Sequence, residues 1–189
     1  MRRWKKALLA VAVVLGGLAL LTFLTSTLYR IPNPSMEATF HCARPQAGCE
    51  GDKMDRVVVS RVWYRLRDPE PGDVVAFDVP DPGVIACGGV PGEGTVFIKR
   101  IIAGPGDRWR EQDGFIYVNG ERLDEPYVEP ERRDQDTIPA RTVPEGEYLV
   151  LGDNRTMSCD SRRWGTVPRG NLIGPVLATY WPPGRIDFR

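Results

Sequence analysis

The sequence predicts an all-β domain carried behind one membrane-spanning helix. Residues 7 to 24, ALLAVAVVLGGLALLTFL, carry no charge, and Arg2, Arg3, Lys5 and Lys6 precede them. Those two observations predict the helix. The β class follows from a third: beyond the apolar run, short β-branched stretches are separated by Pro and Gly at close spacing, and no amphipathic helical stretch of convincing length occurs.

The apolar run, about 27 Å long as a helix at 1.5 Å per residue, nearly matches a bilayer's hydrocarbon core. Its flanks set an orientation. Basic residues precede the run and acidic residues come only after it, the first being Glu37, which predicts a cytoplasmic tail over 1–6, an anchor over 7–26 and an outer domain over 27–189. A cleaved secretory signal is the alternative, but the residues that follow, Thr22 to Tyr29, contain no Ala-x-Ala junction. The expected location is therefore the plasma membrane, single-pass, with the amino terminus inside.

The 189 residues are 42% apolar and 26% charged, which excludes a disordered or collagen-like chain. Basic and acidic residues number 25 each, but the four tail cations leave 21 basic against 25 acidic residues outside, a net of about −4. That balance argues against a nucleic-acid partner.

The clearest strands are residues 56–62, 73–79, 95–102, 114–118 with its return 121–123, 147–151 and 172–181. Asn119-Gly120 is a strong hairpin signal, because both residues tolerate positive φ. Residues 83–94, rich in Gly and Pro, read as a loop, and the dense mixed charge of 129–136 reads as a solvated one. No internal repeat appears. Four cysteines, Cys42, Cys49, Cys87 and Cys159, suit disulfides in an exported domain. Three pairings are open. Cys42 with Cys49 closes a short loop and is preferred, Cys87 with Cys159 following only by elimination. No Cys-x-x-Cys occurs and His41 is the only histidine, so neither a metal nor any other cofactor is expected.

The 25 basic residues comprise 21 arginines and only four lysines, of which Lys53 and Lys99 lie outside the tail. Arginine stays protonated, whereas a desolvated lysine can lose its proton and act as a base. In TVFIKRIIAG, strand alternation puts Phe97 and Ile101 on the face of Lys99, an apolar bed that would lower its pKa. A lysine reaching solvent from a strand end is the plainer alternative. Ser35, in Ile31-Pro32-Asn33-Pro34-Ser35-Met36-Glu37, is the candidate nucleophile on a backbone stiffened by two prolines. A hydroxyl needs a base. His41 lies in a loop before Cys42, and no Ser-x-x-Lys occurs, which leaves a Ser-Lys dyad of another type.

These residues, with the carboxy-terminal third, resemble type I signal peptidase, also called leader peptidase, a membrane-bound serine protease family with a Ser-Lys dyad. Pro34-Ser35-Met36-Glu37-Ala38-Thr39-Phe40 resembles the family's Ser-Met-x-Pro-Thr-Leu pattern, with Ala38 and Phe40 at the proline and leucine positions. Asp55-Arg56-Val57-Val58-Val59 follows Gly-Asp-x-Val-x-Val, with Met54 for the glycine, and Phe97 to Asp107 follows the lysine motif, with Ala103 at a glycine position. The most specific run is Val143-Pro144-Glu145-Gly146-Glu147-Tyr148, continuing through Leu151-Gly152-Asp153-Asn154-Arg155 and Ser158-Cys159-Asp160-Ser161-Arg162 to Trp164-Gly165-Thr166-Val167-Pro168. The departures touch packing rather than reacting groups.

The resemblance implies an antiparallel β-sheet catalytic core with a smaller β-rich cap inserted at about residues 108–142. It implies Ser35 as nucleophile, Lys99 as general base and then acid, Ser158 orienting the lysine amine, and Asp160 with Arg162 as a structural ion pair. Asp153, Asn154 and Arg155 would hold the loop. Many members have a serine two residues before the nucleophile that donates to the oxyanion; here that place is Asn33, whose amide can donate beside the Ser35 N–H. The implied substrates are exported preproteins, bound as an extended strand and cut after small residues at −1 and −3. The bilayer is the other implied partner, concentrating enzyme and tethered substrate in one layer, with Tyr29 and Trp63 as possible interface residues. Two rivals stay open: a conjugation-type maturation protease of the same superfamily, and an inactive anchored binding or assembly module.

Overall fold

The computed structural model describes residues 25–92 and 94–189, together with residues 4, 8, 11, 16 and 17. The segment expected to form the membrane anchor therefore lies largely outside the described residues. Among the described residues no helix is long and apolar enough to cross a membrane.

Among the described residues every strand pair in the two sheets is antiparallel. Its twelve strands are β1 (Ser26–Arg30), β2 (Arg56–Ser60), β3 (Val74–Asp78), β4 (Val96–Ala103), β5 (Arg108–Gln112), β6 (Phe115–Val118), β7 (Glu121–Arg122), β8 (Ile138–Thr142), β9 (Glu147–Leu151), β10 (Val167–Pro168), β11 (Leu172–Trp181) and β12 (Asp187–Phe188). The larger sheet runs β1-β2-β11-β3-β4-β9-β10, with β12 on β11. The smaller sheet, β7-β6-β5-β8, is built entirely from residues between Arg108 and Thr142.

Strand alternation explains why β3 lies at the centre. Val75 and Phe77 enter one core with Ile101 and Val150, while Val74 and Ala76 enter another with Met36, Phe40, Val57 and Val176. A strand apolar on both faces must be covered on both. The third core joins the sheets, packing Ile102, Leu149 and Leu151 of the larger against Trp109 and Ile116 of the smaller. Asn119 and Gly120 take φ of 53° and 92° and turn β6 into β7.

Two sequence expectations are corrected. Residues 83–94 are not all loop, since Asp81–Ala86 forms a short α-helix. Proline and an aspartate in its first turn suit a helix start, and the glycines that followed masked that signal. Residues 129–136 are not simply a solvated loop. A 3₁₀ turn spans Pro130–Arg132, and four charges of the segment are paired: Arg132 with Glu50 and with Glu129, Arg133 with Glu125, and Asp134 with Arg162. The disulfides join Cys42 to Cys49 and Cys87 to Cys159.

Candidate active site

Ser35 sits in a single 3₁₀ turn, Pro34–Met36, just past the end of β1. Pro34 suits the first turn because its missing N–H would have no partner there. Asn33 caps the turn, its Oδ1 accepting the Ser35 N–H at 3.2 Å. From the other side, the Ser35 carbonyl accepts the Asn154 N–H at 3.1 Å. Met36 anchors the turn in the core at 1% exposure.

Lys99 comes from the middle of β4, opposite Val75 of β3. Alternation turns it to the same face as Phe97 and Ile101, which pack together in one core. The amine lies 5.3 Å from the Phe97 ring centroid and 2.6 Å from Ser35 Oγ. At 3% exposure, burial brings its pKa down from 10.5 to about 8; Asp160 and Asp153 pull it up and Arg162 pushes it down, but desolvation is the largest influence.

Behind the pair lies the Gly152–Arg162 segment. Ser158 is buried, yet its Oγ has no hydrogen-bond partner, so the expected bond to the lysine amine is not formed here. Asp160 does not touch the pair either. Its carboxylate accepts the Gly152 N–H at 3.1 Å and the Arg162 Nε and Nη2 at 2.9 Å each, and these bonds hold it ionised below the usual range although burial acts the other way. Arg162 also donates to the Arg155 carbonyl and pairs with Asp134 across to the smaller sheet's loops. Asp153 takes a two-pronged bond from Arg100, at 3.0 and 2.7 Å, and one from Thr39 Oγ1 at 2.6 Å. Arg155, wholly buried, pairs with Glu125 and donates to the Gly152 carbonyl.

A cleft of about 290 Å³ opens at the hydroxyl. Residues Tyr29 to Asn33 form one wall, Thr95 to Lys99 the other, and Ser35 and Met36 lie between. Pairing of β4 to β9 begins only at Arg100, so the Val96–Lys99 half of β4 has a strand neighbour on one side alone.

This arrangement has an amine of lowered pKa within hydrogen-bond reach of an alcohol at the floor of an open groove. The family of the chain is decided by its match, over residues 1–181, to the family model described as signal peptidase, peptidase S26. The chain belongs to that family. It is a peptidase, a hydrolase of the signal peptidase type. A probable signal peptidase I-2 of Synechocystis sp. is 38% identical over 179 residues, covering 94% of this chain and 73% of that protein. Signal peptidase I of Mycobacterium tuberculosis is 34% identical over 220 residues, covering 95% of this chain and 72% of its own. A solved signal peptidase I from Enterococcus faecalis superposes with a TM-score of 0.45 at 32% identity, covering 58% of this chain and 97% of its own.

In this signal peptidase family member, several residues around Ser35 and Lys99 carry no sequence signal of their own. Glu37 is wholly buried two positions after Ser35, accepting the Cys42 N–H at 2.8 Å and pairing with His41. Tyr127 stacks on Arg100 at 3.9 Å. Gly152 was visible only as part of a matched run, and its reason appears only in three dimensions.

Proposed function

We propose that the chain is a membrane-anchored serine endopeptidase that removes signal peptides from exported preproteins, with Ser35 and Lys99 as its catalytic dyad. The observation that carries this reading is the 2.6 Å separation of Lys99 Nζ from Ser35 Oγ at the cleft floor. With a pKa of about 8, roughly one lysine in ten is neutral at pH 7, enough to serve as a base without a histidine.

The steps follow from that proton balance. Neutral Lys99 takes the Ser35 hydroxyl proton while Oγ attacks the scissile carbonyl carbon, and the resulting ammonium then protonates the leaving amine. An acyl-Ser35 ester remains. Water then attacks the ester carbon as its proton passes to Lys99, the C–Oγ bond breaks, the lysine ammonium returns that proton to Ser35 Oγ, and the signal peptide leaves as its carboxylic acid, which ionises in solvent. Developing negative charge on the carbonyl oxygen calls for donors. Asn33 and the Ser35 N–H are the donors we assign, and Asn33 Oδ1 must let go of that N–H for both to turn to the substrate. To Ser158 we assign the orienting of the amine, and to the Asp160–Arg162 pair the support of the segment that carries it.

The open side of β4 over Val96–Lys99 suits substrate added as a strand, with small residues at −1 and −3 fitting shallow pockets. The uncharged run at residues 7–24 is assigned as the anchor, behind a cytoplasmic tail of residues 1–6. The sheet of residues 108–142 is the cap of the peptidase domain, 27–189. Cleavage of a preprotein with an Ala-x-Ala junction tests the reading: Ser35→Ala and Lys99→Ala should each abolish it, and cutting by both variants at the parent's rate would overturn it.

A further inference from the structure

The cleft contains a cation that the dyad does not use. Arg30, the last residue of β1, lines the same groove as Ser35 and Lys99. Ile31 beside it is buried at 4% exposure, so alternation leaves Arg30 outward, and it is exposed. Three other arginines around the site are committed: Arg100 to Asp153, Arg155 to Glu125 and Arg162 to Asp160. The Arg30 side chain has no hydrogen bond or ion pair to any described residue, its backbone alone being paired with Arg56 in the sheet. No aspartate or glutamate lines the groove. The neighbouring Tyr29 feels charges of opposite sign, from Arg61 and from Asp78.

An unpaired guanidinium in a groove without carboxylates is a standing preference for an anion. Its position says where that anion would sit. An extended peptide advances about 3.3 Å per residue, so the three residues from Asn33 back to Arg30 correspond to roughly 10 Å along the wall. On a substrate strand whose −1 and −3 side chains point into the groove, the −2 and −4 side chains point outward, the side on which Arg30 stands. Counting three residues back from −1 reaches −4.

We propose that Arg30 is a specificity-determining residue that favours an acidic side chain at position −4 of the substrate. This rests on the protease reading above. The pair is exposed, so its effect is modest and sensitive to salt.

The test uses the full chain in detergent and three peptides that share Ala at −1 and −3 and differ only in Asp, Asn or Lys at −4, each cut by the parent, Arg30→Gln and Arg30→Glu. The parent should rank them Asp over Asn over Lys by about threefold per step in kcat/KM, mainly through KM. Arg30→Gln should flatten the ranking and Arg30→Glu should invert it. In 1 M NaCl, where screening falls to about 3 Å, the parent's ranking should collapse. Equal cleavage of the three peptides by the parent, or one ranking in parent and Arg30→Glu alike, would overturn the inference and leave the protease reading intact. Failure of the parent to cut any of them would remove both.

Discussion

Gly152 runs so close to Ser158 that a Cβ on it would lie 2.2 Å from the Ser158 hydroxyl, and 2.4 Å from the Ser35 carbonyl oxygen. The glycine is thus the contact point between the Ser35 turn and the loop behind it. Gly152→Ala should push the two apart and lower kcat/KM by at least about 100-fold, at a stability cost of roughly 1–3 kcal/mol. Paired kinetics and thermal melts check this. Unchanged kinetics would show that the close approach has no bearing on the reaction.

The amine of Lys99 must be neutral to act, and its pKa is about 8. Activity should therefore fall about tenfold for each pH unit below 8. Stability has the same origin. The folded-state pKa lies below the unfolded value of 10.5, so the unfolded chain binds more protons between the two, and this group's contribution rises with pH from about 8 to 10.5. At pH 7 its burial costs on the order of 3 kcal/mol. Lys99→Met should abolish cleavage yet raise the melting temperature at pH 7, less so near pH 10. A melting temperature lowered at both pH values would contradict this.

Much of the larger sheet is legible in the residues, and the places where it is not have physical causes. Residues 147–151 and 172–181 read as strands and are strands, because apolar residues there meet β-branched neighbours between clear turns. β1 escaped notice because Ser26–Arg30 directly follows an apolar run that dominates any window. β8, with Ile138 followed by four exposed residues, is an edge strand with no buried face to produce alternation. The meeting of Ser35 with Lys99 is a matter of topology. They are 64 positions apart, and no spacing rule brings them together; the scarcity of lysine and the lone loop histidine pointed to a Ser-Lys dyad, and the family resemblance agreed. Part of the charge pairing of residues 129–136 was invisible for a similar reason, since Glu50 and Arg162 come from distant stretches.

Asn33 now caps the turn of Ser35 through its carbonyl oxygen at 3.2 Å. Two roles separate on mutation. If it also donates to the oxyanion, Asn33→Ala should cost 10²- to 10³-fold in kcat, whereas Asn33→Asp, which keeps the cap but loses the donor, should cost about as much in kcat while retaining the parent's stability. A pure cap predicts an active Asn33→Asp enzyme. Single-turnover kinetics beside melts distinguish the two.

The Cys87–Cys159 disulfide ends next to Ser158 and closes 72 residues of chain, whereas Cys42–Cys49 closes only seven. By loop entropy the first should stabilise by about 4 kcal/mol and the second by about 2.5 kcal/mol. Cys87→Ala/Cys159→Ala should therefore melt well below Cys42→Ala/Cys49→Ala and lose more activity. The reverse order in calorimetry would contradict the assignment of the long bridge as the larger staple.

The proposed reaction turns on one proton, that of the Lys99 amine. Because the chain has only four lysines, Lys5, Lys6, Lys53 and Lys99, selective ¹³C labelling of their ε-carbons gives four resonances that can be followed by pH in the Ser35→Ala protein. The resonance lost in Lys99→Met should titrate near 8. A midpoint at or above the ~10.4 of a free lysine would show a permanently charged amine, and Lys99 could not be the base.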